Sequence, residues 1–148
     1  MTTATSATLH THLAQFPDVL EQLTAAHEAA WVTVDPHILE LCRLRVASML
    51  GAQAEMAIDT PQAALTAEKR NALSQWPLSP LFTEAEKACL AFTEEFVIDV
   101  ASLQETTAVR VGELLGQQEL ADFVSALLVV EQRIRISLAW QTLFGEDK

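Results

Sequence analysis

Residues 35–59, DPHILELCRLRVASMLGAQAEMAID, decide the fold class of this chain. The Asp35 side chain can accept from the free N–H groups of a first helical turn, and Pro36 stands where a missing N–H costs nothing. From there Ile38, Leu41, Cys42, Leu44, Val46 and Met49 form a broad apolar face at roughly helical period, with Glu40, Arg43 and Ser48 outside it. Gly51 breaks the pattern, because glycine in a helix interior costs about 1 kcal/mol relative to alanine. Ala52 to Ile58 is again good helix-forming sequence. The stretch predicts a helix, a bend near Leu50–Gly51, and a second helix.

Composition carries the same message over the whole length. The chain has 148 residues, half of them hydrophobic, with only four glycines and no tyrosine. That is the balance of an all-α protein forming a single domain over residues 1–148, long enough to bury a real core. So much apolar surface on a small domain predicts a homo-oligomer in which another copy covers part of it. The formal charge of −11 argues against nucleic acid and anionic membranes as partners. Two cysteines without a regular framework predict a reducing compartment. The N-terminus has no basic segment followed by an apolar core, and no 18-residue apolar run occurs, so the expected location is cytoplasmic.

Residues 1–11 are rich in Thr, Ala and Ser and are expected to be loose. His10 and His12 lack the neighbouring ligands of a metal site and read as a polar terminus. Phe16 to Trp31 reads as a helix with Phe16, Val19, Leu20, Leu23, Ala26 and Ala30 on one face, and Trp31–Val34 as a short connection. Thr60–Pro61 breaks the helix or starts a new one with Pro61 at its first position, and Pro61–Leu65 and Thr66–Trp76 read as one or two short helices, with Thr66 as an N-cap. Thr83-Glu84-Ala85-Glu86 is a capping-box signature, followed by a helix to Val97 with Ala88, Cys89, Phe92 and Phe96 inward. Trp76 and Phe82 read as core. Ser102-Leu103-Gln104-Glu105 is a second such signature, opening a helix that Gly116 stops near Leu115. The last helix begins at Gln117 or Gln118 and ends near Phe144. Its apolar centre, Phe123–Val130, marks it as the helix expected to be most buried.

Three stretches carry a resemblance: ELCRLRVASMLGAQAEMAID at Glu40–Asp59, Trp76 with SPLFTEAEKACLAF at Ser79–Phe92, and QQELADFVSALLVVEQRIRISLAW at Gln117–Trp140. They resemble the carboxymuconolactone decarboxylase / alkyl hydroperoxidase D family, whose core helices carry a pattern of the type E-L-x-R-L-R-V-x-x-x-x-G-C-x-x-C-x-x-x-H. With the helical lead-in at Phe16–Val34, the likeness runs from Phe16 to Trp140. The resemblance implies an alkyl hydroperoxidase D-like helical fold and oligomers commonly built on trimers, with a dimer as the other simple assembly.

The departures bear on chemistry. By position, the family's two redox cysteines fall on Ala52 and Glu55, its histidine on Asp59, and its proton-relay glutamate on Glu40. In the redox branch one thiolate attacks and the other resolves a disulfide, and alanine supplies no nucleophile. Cys42 and Cys89 lie far apart in sequence within apolar helical surroundings. Dithiol peroxidase chemistry is therefore not expected. A second branch, the lactone decarboxylases, has G-A-x-x-E-x-x-x-H at this place; GAQAEMAID matches at Gly51, Ala52 and Glu55 and departs at Asp59.

These residues define the candidates. Glu55 and Asp59, at i and i+4, are either ordinary exposed helix acids or a like-charged pair in a pocket, one member of which holds a proton for transfer. Glu40 either pairs with Arg43 at a surface or joins Glu55. In a straight helix the two would stand roughly 22 Å apart, so a shared site requires the bend at Gly51. Arg133 either holds a substrate carboxylate or, with Arg135, pairs with an acid across an oligomer contact. No cofactor is expected. The leading expectation is a non-redox binding or oligomeric protein, catalytically silent. The rival is a proton-transfer enzyme acting on a small carboxylate or lactone through Glu55, with Asp59 and Glu40 in support. A third is residual peroxidase activity through Cys42 or Cys89.

Overall fold

The computed structural model describes residues 10–144, and among these the chain is all-helical. Residues 10–13 are helical, and they include His10 and Thr11, the described end of the segment expected to be loose. The remainder of that expectation lies outside the described residues. His12 stacks on Phe144 and meets Trp140, which ties the beginning of the described chain to its end.

The elements follow one another as α1 (Pro17–Thr33), α2 (Pro36–Leu50), α3 (Gln53–Met56), α4 (Ala67–Ala72), α5 (Glu84–Asp99), α6 (Glu105–Leu115) and α7 (Gln117–Phe144). Short 3-10 turns lie at Pro61–Ala63, Leu73–Gln75 and Val100–Ser102. Among the described residues no helix is long and apolar enough to cross a membrane.

Helix α2 is the hub. It packs on α5 and α7 and touches α1, while α1 lies along α7 and α6 closes against α5 and α7. Its start matches the sequence pattern, with the Asp35 carboxylate accepting from the His37 N–H at 2.9 Å and Pro36 in the first turn. Nine of its residues are buried, and they include Glu40 and Arg43. These two were expected outside the apolar face. They are instead among the most completely enclosed side chains of the molecule, because α2 is surrounded and has little outer face left to offer. For the same reason the most buried helix is α2 and not α7, where Leu128 is 46% exposed amid the apolar centre.

Local signals elsewhere act as the sequence predicts. Thr83 and Glu86 form the reciprocal capping box that starts α5, and Ala88, Cys89 and Phe92 are buried along it. The Thr66 hydroxyl accepts from the Lys69 N–H to open α4. Trp76 is in the core, its indole N–H donating to Glu94 at 2.8 Å, and Glu94 also accepts from Arg45 at 2.8 Å. Gly116, at φ 109°, stops α6. Three expectations need correcting. The box at Ser102 does not form; its hydroxyl donates to Asp99 at 2.6 Å, and α6 starts later, at Glu105. Helix α1 continues through the expected connection to Thr33, so that Trp31 is a buried helical residue. Phe16 and Val19 are exposed, since the start of α1 extends past the elements that cover its middle.

The segment between α3 and α5 is held down by a polar relay. His37 Nδ1 donates to the Ala63 carbonyl at 3.0 Å, which leaves Nε2 to accept from Lys69 at 2.8 Å. Lys69 in turn donates to Glu86 at 2.7 Å.

Candidate functional site

The bend at Gly51 creates the first feature. Gly51 takes the left-handed conformation, φ 71°, and its N–H bonds back to the Ala47 and Ser48 carbonyls. Glycine suits that position, because a side chain there carries a steric cost. The chain folds back, and Glu55 returns beside α2.

The second helix of the stretch is shorter than predicted. Helix α3 is a single turn, Gln53–Met56. It ends there because the Glu55 and Ile58 carbonyls turn towards the Arg43 guanidinium, each accepting at 2.8 Å. Arg43 also donates through Nη1 to the Glu55 carboxylate at 2.9 Å, and through Nε and Nη2 to Glu40 Oε1, the Nε contact being 3.0 Å. All five guanidinium N–H groups are thereby used. Arg43, Glu40 and Glu55 form one enclosed carboxylate–guanidinium–carboxylate unit, 1%, 0% and 8% exposed. Among the described residues, however, Glu40 Oε2 is buried without a hydrogen-bond partner.

Asp59 does not join this unit. Its side chain is 76% exposed and accepts from Arg70 at 2.9 Å. The i, i+4 relation to Glu55 fails because the helix has ended at Met56, three residues before Asp59, so no like-charged pair forms. Glu40 and Glu55 do come together, across the bend that their sharing a site requires. The Glu40–Arg43 pair is present too, but deep in the interior and not at a surface.

The two thiols are remote from water. Cys42 and Cys89 are both free and fully buried. Burial pushes the Cys42 thiol up to about 12, against a smaller opposing pull from a hydrogen bond with Thr93. Cys89 is pushed up as well, by burial first and then by Cys42 and Glu86.

A second feature lies between α1 and α7. A pocket of about 330 Å³ is lined by residues that include Leu20, Leu23, Thr24, His27, Trp31, Gln62 and Arg133. His27 and Trp31 stand one helical turn apart on α1, their rings edge to face at 6.1 Å. Among the described residues neither His27 ring nitrogen has a hydrogen-bond partner, and nor does the Trp31 indole N–H. Burial lowers the His27 pKa to about 4, with Arg133 and then Arg43 adding to the effect, so the imidazole is neutral at neutral pH. Burial also lowers the pKa of Arg133, and Glu55 pulls the other way. Arg133 thus lies within electrostatic reach of the buried acid, although among the described residues its guanidinium has no ion pair. Arg135, by contrast, pairs within its own helix with Glu131.

Sequence reasoning did not single out His27 and Trp31. The available signal was their spacing of four on a predicted helix, which puts both rings on one face.

Taken together, the described residues define an all-helical protein with a buried acid–arginine–acid unit at a helix bend and an adjoining pocket that holds an arginine. A scan against protein-family models and a search of curated proteins return no match to this chain.

Proposed function

We propose that this chain is a non-redox, alkyl hydroperoxidase D-like binding protein that takes up a small carboxylate or lactone and assembles with copies of itself, on a trimeric or dimeric plan. One observation carries the reading. Glu55, in the position that the resemblance gives to the second redox cysteine, is bound to Arg43 inside the protein, and Ala52 offers nothing nucleophilic in the position of the first. The residues of the former dithiol site serve structure. The two thiols present are buried and raised in pKa, the opposite of what an attacking sulfur needs.

The test is peroxide turnover. The purified chain, given an organic hydroperoxide and a dithiol reductant, should consume peroxide no faster than a Cys42→Ser/Cys89→Ser variant. A rate that disappears in that variant would overturn the reading. Light scattering tests the assembly, and a monomer at micromolar concentration contradicts it.

A second reading is favoured by the enclosure of Glu55 and by the unpartnered Glu40 Oε2 beside it. A carboxyl group shielded from water, with a cation in electrostatic reach, is the kind of group that moves protons on a lactone or keto acid. Asp59 takes no part in this version. Loss of turnover of such a substrate in Glu55→Gln, with the fold intact, would establish the enzyme in place of the silent binder.

A further inference from the structure

The pocket between α1 and α7 contains an arginine whose situation differs from that of every other arginine in the chain. Acidic residues outnumber lysine and arginine by 20 to 9. The other five arginines each have a carboxylate within 4 Å: Arg43 has Glu40 and Glu55, Arg45 has Glu94, Arg70 has Asp59, Arg110 has Glu84 and Glu113, and Arg135 has Glu131. Among the described residues Arg133 alone has none, in a chain where acids are abundant.

Its neighbours on the pocket wall share this unsatisfied state. Trp31 is 6% exposed, yet its indole N–H is buried without an acceptor. Both ring nitrogens of His27 are likewise buried and unpartnered. Native proteins pair nine-tenths or more of their buried polar groups, so three atoms unpaired among the described residues, in two side chains that line this pocket, together with a guanidinium that has no ion pair, mark a place where a partner comes from outside. The missing partner is an acceptor. Guanidinium and indole only donate, and a neutral imidazole donates through one nitrogen. A planar carboxylate matches a guanidinium fork with two parallel bonds, and an organic acid, unlike inorganic phosphate, also brings an apolar body. The remaining wall includes Leu20 and Leu23, which suit an apolar body, and about 330 Å³ sits at the small end of ligand pockets.

We infer that this pocket binds a small organic monocarboxylate, its carboxylate on the Arg133 guanidinium and the Trp31 indole N–H, and its apolar body against Leu20 and Leu23. His27 closes the polar end. The inference rests on the binding-protein reading and gives it a ligand class and an address. Two acids bear on the pocket: Glu28 lines it and is exposed to solvent, and Glu55, which acts on Arg133 through space, is already engaged by Arg43.

Benzoate is the probe, benzamide its neutral isostere, and inorganic phosphate the non-organic anion. Each is titrated into the full chain while the three indole N–H signals are followed by NMR, the Trp31 signal being assigned through Trp31→Phe. Benzoate should shift the Trp31 signal to saturation, benzamide and phosphate should not, and Arg133→Met should weaken benzoate at least tenfold. Equal binding of benzamide would reduce the pocket to a greasy hole, and equal binding of phosphate to a general anion site. Either result overturns the proposal, as does unchanged affinity in Arg133→Met. Should that variant fail to fold, Arg133→Lys serves instead. It keeps the charge and loses the fork, so benzoate should weaken severalfold, and undiminished affinity would overturn the assignment. Absence of any benzoate shift would remove the ligand site and leave the non-redox reading standing. Dithiol-dependent peroxide turnover would remove that reading while leaving a benzoate result intact.

Discussion

Glu40 and Glu55, fifteen positions apart in a chain that bends between them, are bound to the same guanidinium, that of Arg43. The acids come from the two sides of Gly51, so the bend and the ion cluster require each other. Without the bend Glu55 would stand a full helix length from Arg43, and without Arg43 the two carboxylates would face the interior with nothing to balance them.

Removing the arginine therefore tests the unit. Breaking a buried pair by deleting one partner costs about 3–5 kcal/mol, because an uncompensated charge stays behind. Arg43→Met is expected to lose stability of that order in urea unfolding. The triple change Glu40→Met/Arg43→Met/Glu55→Met should recover much of it. Asp59→Asn, at a mostly exposed pair with Arg70, should shift the same measurement by less than about 1 kcal/mol.

Gly51 offers a cleaner backbone test. A methyl group placed there would meet no atom within 4 Å, so the only penalty is the positive φ of 71°. Gly51→Ala should cost about 1–2 kcal/mol by chemical denaturation, with the denaturant slope unchanged. A much larger loss would mean that the bend resists even small adjustment, contrary to the open space around it.

His27 gives stability a pH dependence of definite sign. Its ordinary value is 6.5 and the folded value is about 4, lowered by burial and then by Arg133 and Arg43. Above pH 6.5 the ring is neutral in folded and unfolded chains alike and contributes nothing. As pH falls, the unfolded chain takes up the proton first, so stability drops between about 6.5 and 4, by about 3 kcal/mol in total. His27→Gln should flatten that part of the curve. Parallel curves for variant and parent would show that the ring is not shielded.

The thiols should be slow. With Cys42 raised from 9.0 to about 12, its thiolate fraction near neutral pH falls about a thousandfold, before burial is counted as a barrier to the reagent. Native protein should react with an aromatic disulfide reagent only through opening of the fold, and both cysteines should react promptly in denaturant. Prompt modification of the native chain would show an access route to α2 and α5 that the packing does not provide.

Much of this is legible in the sequence alone. Asp35–Pro36, Thr66, Thr83 with Glu86, Gly51 and Gly116 act through the residues next to them, so their roles as caps and stops can be read from a few letters. The all-helical class follows from the same local signals and from a composition poor in glycine. What could not be read was which polar residues would be enclosed. Glu40 and Arg43 have the spacing of a surface ion pair, and only the packing of α5 and α7 around α2 places them inside.

Neighbours in sequence thus determined the caps at Asp35, Thr66 and Thr83, the stops at Gly51 and Gly116, and that no thiol occupies the bend, whereas the early end of α3 depended on Arg43 from another helix. Tertiary structure decided that Asp59 faces solvent, that Glu55 meets Arg43, and that Arg133 shares a pocket wall with His27 and Trp31 and has no ion pair among the described residues. Burial and charge pairing arise between segments distant in sequence, and no local pattern records them.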